Sequence, residues 1–185
     1  FFGYFSAGRI MFKDQTLKKL SEYHFLNDYF IPNYNLLFKK GFFEYQCIIP
    51  IENATKFFKE FKILISELNL KPLMSGVKLY QPSTEEFNLS LQLDKEALAF
   101  TFDFKASDEV VALFSTLNNK VIKYHGKVYY AKTACLDFDT FSKMYGNNNI
   151  KNLKEIKAKY DPNKLITNNL FERIINKNNS YYYNY

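Results

Sequence analysis

The sequence predicts an α+β domain in which an antiparallel sheet carries helices on one face and is followed by short C-terminal helices. The first observation behind this class is the order of periodic segments, which runs strand, helix, three strands, helix, strand and then helices. The second is composition, because 47% hydrophobic and 24% charged residues in a chain of 185 suit one domain with a substantial core. No run of 18 apolar residues occurs, so no membrane-spanning helix is predicted.

Residues 1–41 have weak periodicity and are predicted to form a leading segment before the sheet. The next sequence, FFEYQCIIP, is rich in aromatic and β-branched residues and ends at Pro50, which predicts the first strand. Apolar residues at helical spacing then predict a helix over 53–70, with Asn53 as its N-cap and Pro72 as its stop.

Three strands are predicted next, over 73–81, 87–94 and 97–106. In the last of them, phenylalanines at every second position alternate with Thr101 and Asp103. Because successive side chains of a strand point to opposite faces, one face is expected to be apolar and the other to face something polar.

A second helix is predicted to begin at Ser107 and to end at Gly126, which fits a C-terminal cap. The sequence GKVYYAK, at 126–132, predicts one more strand. The polar repetitive tail, 177–185, is predicted to be disordered. Between this strand and the tail, three short helices are predicted, over 137–145, 150–160 and 168–175.

The formal net charge of +6 permits an acidic or phosphate-bearing ligand. The lysines are spread along the chain, however, and only two arginines occur, which argues against a nucleic-acid-binding surface. The strand aromatics also alternate as core residues do, instead of forming an exposed stacking platform. No nucleic-acid partner is therefore expected.

Metal and nucleophile chemistry finds little support in the sequence. His24 and His125 have no cysteine or carboxylate at ligand spacing, so no metal site is predicted. Cys47 and Cys135 are too few for a disulfide scaffold, which makes a reducing, cytoplasmic compartment the expected one. The glycine-rich phosphate-binding motifs and the nucleophile motif GxSxG do not occur.

Two lysines, Lys78 and Lys132, interrupt predicted strands that are otherwise apolar and aromatic. A cation in such a strand either reaches solvent or meets a buried anion. One lysine alone is equally well explained as protection of an edge strand against aggregation. The presence of both favours the hypothesis of an anionic site.

Three blocks near the C-terminus stand out, the strand GKVYYAK, the helix FSKMY and the stretch KYDPNKLIT. These blocks resemble FAD-linked oxidases of the vanillyl-alcohol oxidase superfamily, in particular the group of alditol oxidases and decaprenylphosphoryl-β-D-ribose 2-oxidases. The upstream pieces FFEYQCIIP, VKLY and FTFDF agree with the same family in order. Together these blocks cover most of the chain between Tyr23 and Arg173.

The resemblance implies that 1–41 leads into a substrate-binding cap domain at 42–132, and that helices at 133–176 pack towards a flavin domain. The N-terminal domain that holds most of the FAD is expected to be absent from this chain, which alone would be inactive. The implied reaction is oxidation of a sugar or sugar-alcohol CH–OH group by hydride transfer to flavin N5.

By the same resemblance, Lys132 is the catalytic and cofactor-binding residue whose ammonium stabilises negative charge on the flavin. Tyr129 would stack on or hydrogen-bond to the flavin ring or the sugar. Residues three apart on a flat strand point oppositely, so this pairing requires the strand to end or bulge between them.

The resemblance also implies that Tyr45, Gln46 and Thr101 contact the substrate. For Lys78 three roles stay open: its ammonium could meet an anionic phosphate, it could polarise a hydroxyl, or the amine could act as a base if held dry beside another cation.

The implied partners are a sugar or sugar-alcohol substrate, phosphorylated or lipid-linked in some relatives, and a partner reductase. The resemblance also allows a location peripheral to the inner membrane. The alternative is a non-catalytic α+β binding module for an acidic partner. A flavin-binding domain encoded upstream would distinguish the two.

Overall fold

The structure is a computed structural model that describes residues 19–21, 41–83, 87–132 and 135–176. The chain divides into two compact units, Phe1–Lys39 and Lys40–Tyr185. Only three residues of the first unit are described, so nearly all of the predicted leading segment, His24 included, lies outside the described residues. The same holds for the tail at 177–185.

The second unit has the predicted α+β class, with an antiparallel sheet of strand order β2-β3-β1-β4. The strands are β1 (Phe42–Pro50), β2 (Met74–Tyr80), β3 (Ala97–Lys105) and β4 (Lys127–Val128). The helices of its described part are α1 (Ile51–Glu67), α2 (Asp108–Lys123), α3 (Phe138–Tyr145), α4 (Asn147–Tyr160) and α5 (Asn169–Ile174).

One face of the sheet packs against α1 and α2 and forms the main core. Alternate residues of β1 and β3 point to this face because of the two-residue repeat of a strand. The sheet contributes Tyr45, Cys47, Ile49, Phe100, Phe102 and Phe104 to it, and the two helices contribute Phe57, Phe61, Val110, Leu113, Phe114 and Leu117. Phe61 and Phe102 stack with their ring centroids 4.0 Å apart.

Local capping signals account for three of the helix starts. Ser107, Asp137 and Asn168 each accept a hydrogen bond from the backbone N–H three residues further on, at the start of α2, α3 and α5. Gly146 ends α3 with a left-handed φ of 82°. These boundaries confirm the sequence predictions.

Two predicted helix starts are wrong. The helix α1 begins directly after Pro50, and Asn53 lies inside it, where its side-chain amide donates to the carbonyl oxygen of Tyr124. A tertiary contact with the end of α2 therefore uses the side chain that was expected to cap α1. The helix α4 begins at Asn147, three residues before the predicted start.

The predicted strand over 87–94 is absent from the structure. Its alternating leucines are real packing residues, but the segment crosses one end of the sheet face opposite the helices instead of joining a sheet edge. There Leu91 and Leu93 pack against Ile48, Ala97 and Ala99. The pattern correctly indicated burial and wrongly indicated strand pairing.

The last predicted strand is shorter than expected, because β4 ends at Val128 and residues 130–132 form a turn. The role of Gly126 also differs from the prediction: His125, with φ 57°, takes the left-handed position after α2. A Cβ on Gly126 would lie 2.3 Å from the Ile48 carbonyl oxygen. Gly126 is thus needed for a close approach of two backbones.

No helix in the described ranges is long and apolar enough to cross a membrane.

Candidate functional site

The sheet face opposite α1 and α2 has one covered end and one polar end. The covered end is closed by the 87–94 segment, which Lys127 holds in place by donating from its ammonium to the carbonyl oxygens of Ser90 and Gln92, each at 3.3 Å. The polar end carries Glu44, Gln46, Thr101 and Asp103, and with Lys132 these residues are called the polar patch.

The register of β1 and β3 pairs the side chains of the polar patch. Glu44 lies opposite Asp103, and Gln46 lies opposite Thr101. On the other side of β3, Gly76 lies opposite Thr101, and a Cβ on Gly76 would meet nothing within 4 Å. The space beside Thr101 is therefore unfilled, so a ligand group could approach the amide and hydroxyl groups there.

A turn after β4 brings Lys132 to the polar patch. The backbone N–H of Tyr129 donates to the Gln46 carbonyl at 2.8 Å and continues the pairing with β1 by one residue. The N–H of Lys132 then donates to the Tyr129 carbonyl at 3.1 Å, which reverses the chain. Its ammonium reaches Glu44 Oε2 at 2.9 Å. The pairing with β1 therefore stops at Tyr129, and the chain turns before Lys132.

Asp103 is the chemically unusual member of the polar patch. It is 7% exposed, and its Oδ1 has no hydrogen-bond partner among the described residues. Burial and the nearby Glu44 carboxylate raise the pKa of Asp103 to about 6, although the Lys132 ammonium opposes the rise. A buried carboxylate with one unpartnered oxygen and a pKa near 6 is suited to accepting a proton.

Lys132 is a fixed cation in this arrangement. Its hydrogen bond to Glu44 is the main cause that raises its pKa above the ordinary lysine value. The side chain is 44% exposed, so the ammonium is accessible to a bound molecule as well as to Glu44. Lys132 is thus suited to stabilising negative charge and is not suited to acting as a base.

Two predicted site residues lie elsewhere. Tyr45 points to the helix face, is fully buried and donates from its hydroxyl to Asn118 Oδ1 at 3.0 Å. Lys78 is exposed on the edge strand β2, opposite Ala99. Since Ala99 and Asp103 are four residues apart on β3, Lys78 is roughly 13 Å along the sheet from the Asp103 row. Exposure also removes the dry surroundings that a lysine base requires.

The sequence reasoning missed Asp103 and Glu44 as candidate site residues. The signal for Asp103 was available, since it interrupts the phenylalanines of its strand just as Lys78 and Lys132 interrupt theirs. Glu44 has no comparable signal, because its importance depends on which residue of β3 lies opposite it.

Metal chemistry has no candidate centre in the described parts of the chain, where no group of three or more His, Cys, Asp or Glu side chains could hold an ion. The polar patch instead combines a proton acceptor, a fixed ammonium, an amide and a hydroxyl. This set of groups can bind a hydroxylated molecule and take a proton from it.

Comparison with known families gives a match to part of the chain. Residues 118–170 match the family described as "Berberine and berberine like". This family comprises FAD-linked oxidases of the vanillyl-alcohol oxidase superfamily. The matched stretch, less than a third of the chain, runs from the last turns of α2 into α5 and includes Tyr129 and Lys132. No curated protein matches the chain, and neither finding supports the closer likeness to alditol or decaprenylphosphoryl-ribose oxidases.

Proposed function

We propose that this chain is the substrate-binding part of an FAD-linked oxidoreductase that oxidises a CH–OH group of a sugar or sugar alcohol. The observation that carries the proposal is the buried Asp103 carboxylate, unpartnered at Oδ1, in the same polar patch as the Lys132 ammonium. The match of residues 118–170 to a family of FAD-linked oxidases supports the cofactor class.

Asp103 is the proposed base. Oxidation of a carbinol to a carbonyl removes a hydride from carbon and a proton from oxygen, and Asp103 Oδ1 would take that proton. Its pKa of about 6 leaves it mostly ionised at neutral pH, yet it holds a proton more tightly than an ordinary aspartate does. This role replaces the base role considered for Lys78.

The other residues of the polar patch would bind and orient the substrate. Gln46 and Thr101 lie side by side with an open space next to Gly76, so their amide and hydroxyl groups can bind further hydroxyls of a polyol. Tyr129, paired with Gln46 through its backbone, would contact the sugar or the cofactor ring. Tyr45 is left out of this set because it faces the helix core.

The polar patch fits FAD in its chemistry. FAD, when bound, supplies the hydride acceptor, and negative charge then develops at its ring. Lys132 offers an exposed ammonium for that charge, and Asp103 offers an unused acceptor atom for the substrate proton. Most of the FAD would be held by a separate N-terminal domain.

An exposed apolar surface supports the proposal that residues 133–176 pack towards that flavin domain. Tyr160, Leu165 and Ile166 are 74%, 81% and 76% exposed. The Asp161 carboxylate pairs with Lys157 and accepts from the N–H groups of Leu165 and Ile166 at 2.8 and 3.0 Å. Large apolar side chains held in such an arrangement are typical of an interaction surface.

The polar patch supports the alternative, a binding module for an acidic partner, less well than it supports the FAD-linked oxidoreductase. Its two carboxylates outnumber its one ammonium, so the patch would repel an acidic partner when Asp103 is ionised. A partner reductase and a cytoplasmic location stay predictions.

The test is the visible absorption spectrum of the natural gene's full polypeptide, purified without added cofactor, beside this 185-residue chain. We expect a flavin spectrum in the long polypeptide that bleaches without oxygen when pentitols, hexitols or aldopentoses are added. Asp103→Asn should keep the flavin and bleach about 10²- to 10⁴-fold more slowly. A long polypeptide that stays colourless with added FAD, or an Asp103→Asn variant that bleaches at the normal rate, would overturn the proposal.

A further inference from the structure

We infer that Glu44 is a positioning residue, which holds the Lys132 ammonium on β1 and thereby keeps Asp103 Oδ1 free to act on a substrate. The inference rests on the function proposed for Asp103. It assigns Glu44 no contact with the substrate and gives it an effect through Lys132.

Within the polar patch as defined above, Lys132 is the one ammonium beside two carboxylates. Glu44 and Asp103 lie opposite each other in the β1–β3 register, so their side chains leave the same face of the sheet. Lys132 makes its ion pair with Glu44 at 2.9 Å, whereas Asp103 Oδ1 has no hydrogen-bond partner in the described residues. The ammonium is nevertheless close enough to lower the pKa of Asp103.

Among the described residues, the charged groups around Asp103 are Glu44, Lys132 and the exposed Lys105, which lies two residues further along β3 on the same face. On β1, Asp103 faces Glu44, and from the turn after β4 it faces Lys132. The Tyr129 side chain also lies near the Lys132 ammonium. On β2 the opposite residue is the uncharged Met74. The helices pack on the other side of the sheet.

Glu44 and Asp103 therefore compete for Lys132. A carboxylate that pairs directly with an ammonium becomes a weaker base, because the pair stabilises its ionised form. While Glu44 holds the ammonium, Asp103 keeps both its unpartnered oxygen and its elevated proton affinity. Without the Glu44 charge, Lys132 is expected to turn to Asp103 and occupy the atom that a substrate hydroxyl would need.

The competition is tested on this chain alone by carbon-13 NMR titration of the carboxyl groups, with Asp103→Asn used to identify the Asp103 signal. In the unaltered chain, Asp103 should titrate near pH 6. Glu44→Gln should lower that midpoint by roughly one pH unit or more. Glu52→Gln, which removes a second Glu–Lys ion pair of 3.0 Å, with Lys95, should leave it unchanged.

A double-mutant cycle separates positioning from the simple loss of a negative charge. We expect Glu44→Gln to lower the Asp103 midpoint clearly less in a Lys132→Met background than in the unaltered chain, because no ammonium is then released. Equal shifts in the two backgrounds, or no shift with Glu44→Gln, would overturn the inference. Amide spectra confirm that each variant is folded, and neither outcome depends on the flavin-bleaching test of the proposed function.

Discussion

Glu44 and Asp103 lie opposite each other on β1 and β3 and project from the sheet face that α1 and α2 do not cover. Two carboxylates in one cross-strand pair repel each other when both are ionised. The repulsion is relieved in two ways: Lys132 neutralises Glu44, and Asp103 retains its proton up to a pH of about 6. This pair makes the stability and the chemistry of the site depend on pH.

Asp103→Asn should stabilise the fold at neutral pH. The folded-state pKa of about 6 lies above the ordinary aspartate value of 3.8, so the folded chain binds the proton more tightly than the unfolded chain. The unaltered chain should thus lose stability, on the order of 1–3 kcal/mol, as pH rises from about 4 through 6. Urea unfolding at pH 4.5, 6 and 7.5 should show that the free energy of unfolding of Asp103→Asn, relative to that of the unaltered chain, increases as pH rises. A stability difference that does not change with pH would contradict this expectation.

Tyr45→Phe and Gln46→Leu should separate stability from substrate binding, because neighbouring strand residues point to opposite faces. The first removes the buried hydrogen bond to Asn118 and should cost about 1–2 kcal/mol of unfolding free energy, with normal flavin bleaching in the long polypeptide. The second should raise the substrate concentration needed for half-maximal bleaching. A weaker substrate response with Tyr45→Phe would place Tyr45 back in the site.

Gly126→Ala should destabilise the chain by about 1–3 kcal/mol. The added Cβ would lie 2.3 Å from the Ile48 carbonyl oxygen and 2.6 Å from Ile49 Cδ1, so β1 and β4 would have to move apart. Gly76→Ala is the matched control, since its Cβ would meet nothing within 4 Å. Thermal unfolding of both variants checks the difference, and an equal effect of the two would refute the close approach.

Glu60→Gln should weaken the packing of α1 on α2. Glu60 accepts hydrogen bonds from Lys120, Lys123 and the Tyr124 hydroxyl at 2.7, 2.7 and 2.6 Å, and these lower its pKa to about 2. The stabilisation is present above the ordinary glutamate pKa and is lost as pH falls towards 2.

With allowance for solvent screening, the loss should be about 1 kcal/mol at pH 7. Denaturant unfolding of Glu60→Gln at pH 7 and pH 3 measures it, with the exposed pair of Glu52 and Lys95 removed in a parallel variant. The Glu60 effect should be the larger of the two and should shrink at pH 3. A constant difference at both pH values would argue against the charged network.

Local patterns predicted most of the secondary structure, because caps and periodicity act over a few residues. Ser107, Asp137 and Asn168 begin helices as expected. The 87–94 segment shows where such patterns fail. Alternating leucines indicate that one side of the segment is buried, but not whether its backbone pairs with another strand. Asn53 is a second example, because its side chain, predicted to cap α1, donates instead to the carbonyl oxygen of Tyr124.

The candidate site was predictable only in part. The family resemblance indicated Gln46, Thr101, Tyr129 and Lys132, and the structure brings these four to one face of the sheet around β1 and the turn after β4. It does not bring Tyr45 to them, and the alternation of a strand could have excluded that residue beside Gln46.

By itself, the sequence determined the α+β class, the apolar and polar faces of β3 and most helix boundaries, since each depends on residues close together in the chain. Only the tertiary structure decided that Glu44 faces Asp103 and that Lys132 pairs with Glu44. The physical reason is that strand register and burial are set by packing between distant segments, and these two quantities determine which carboxylate keeps its proton.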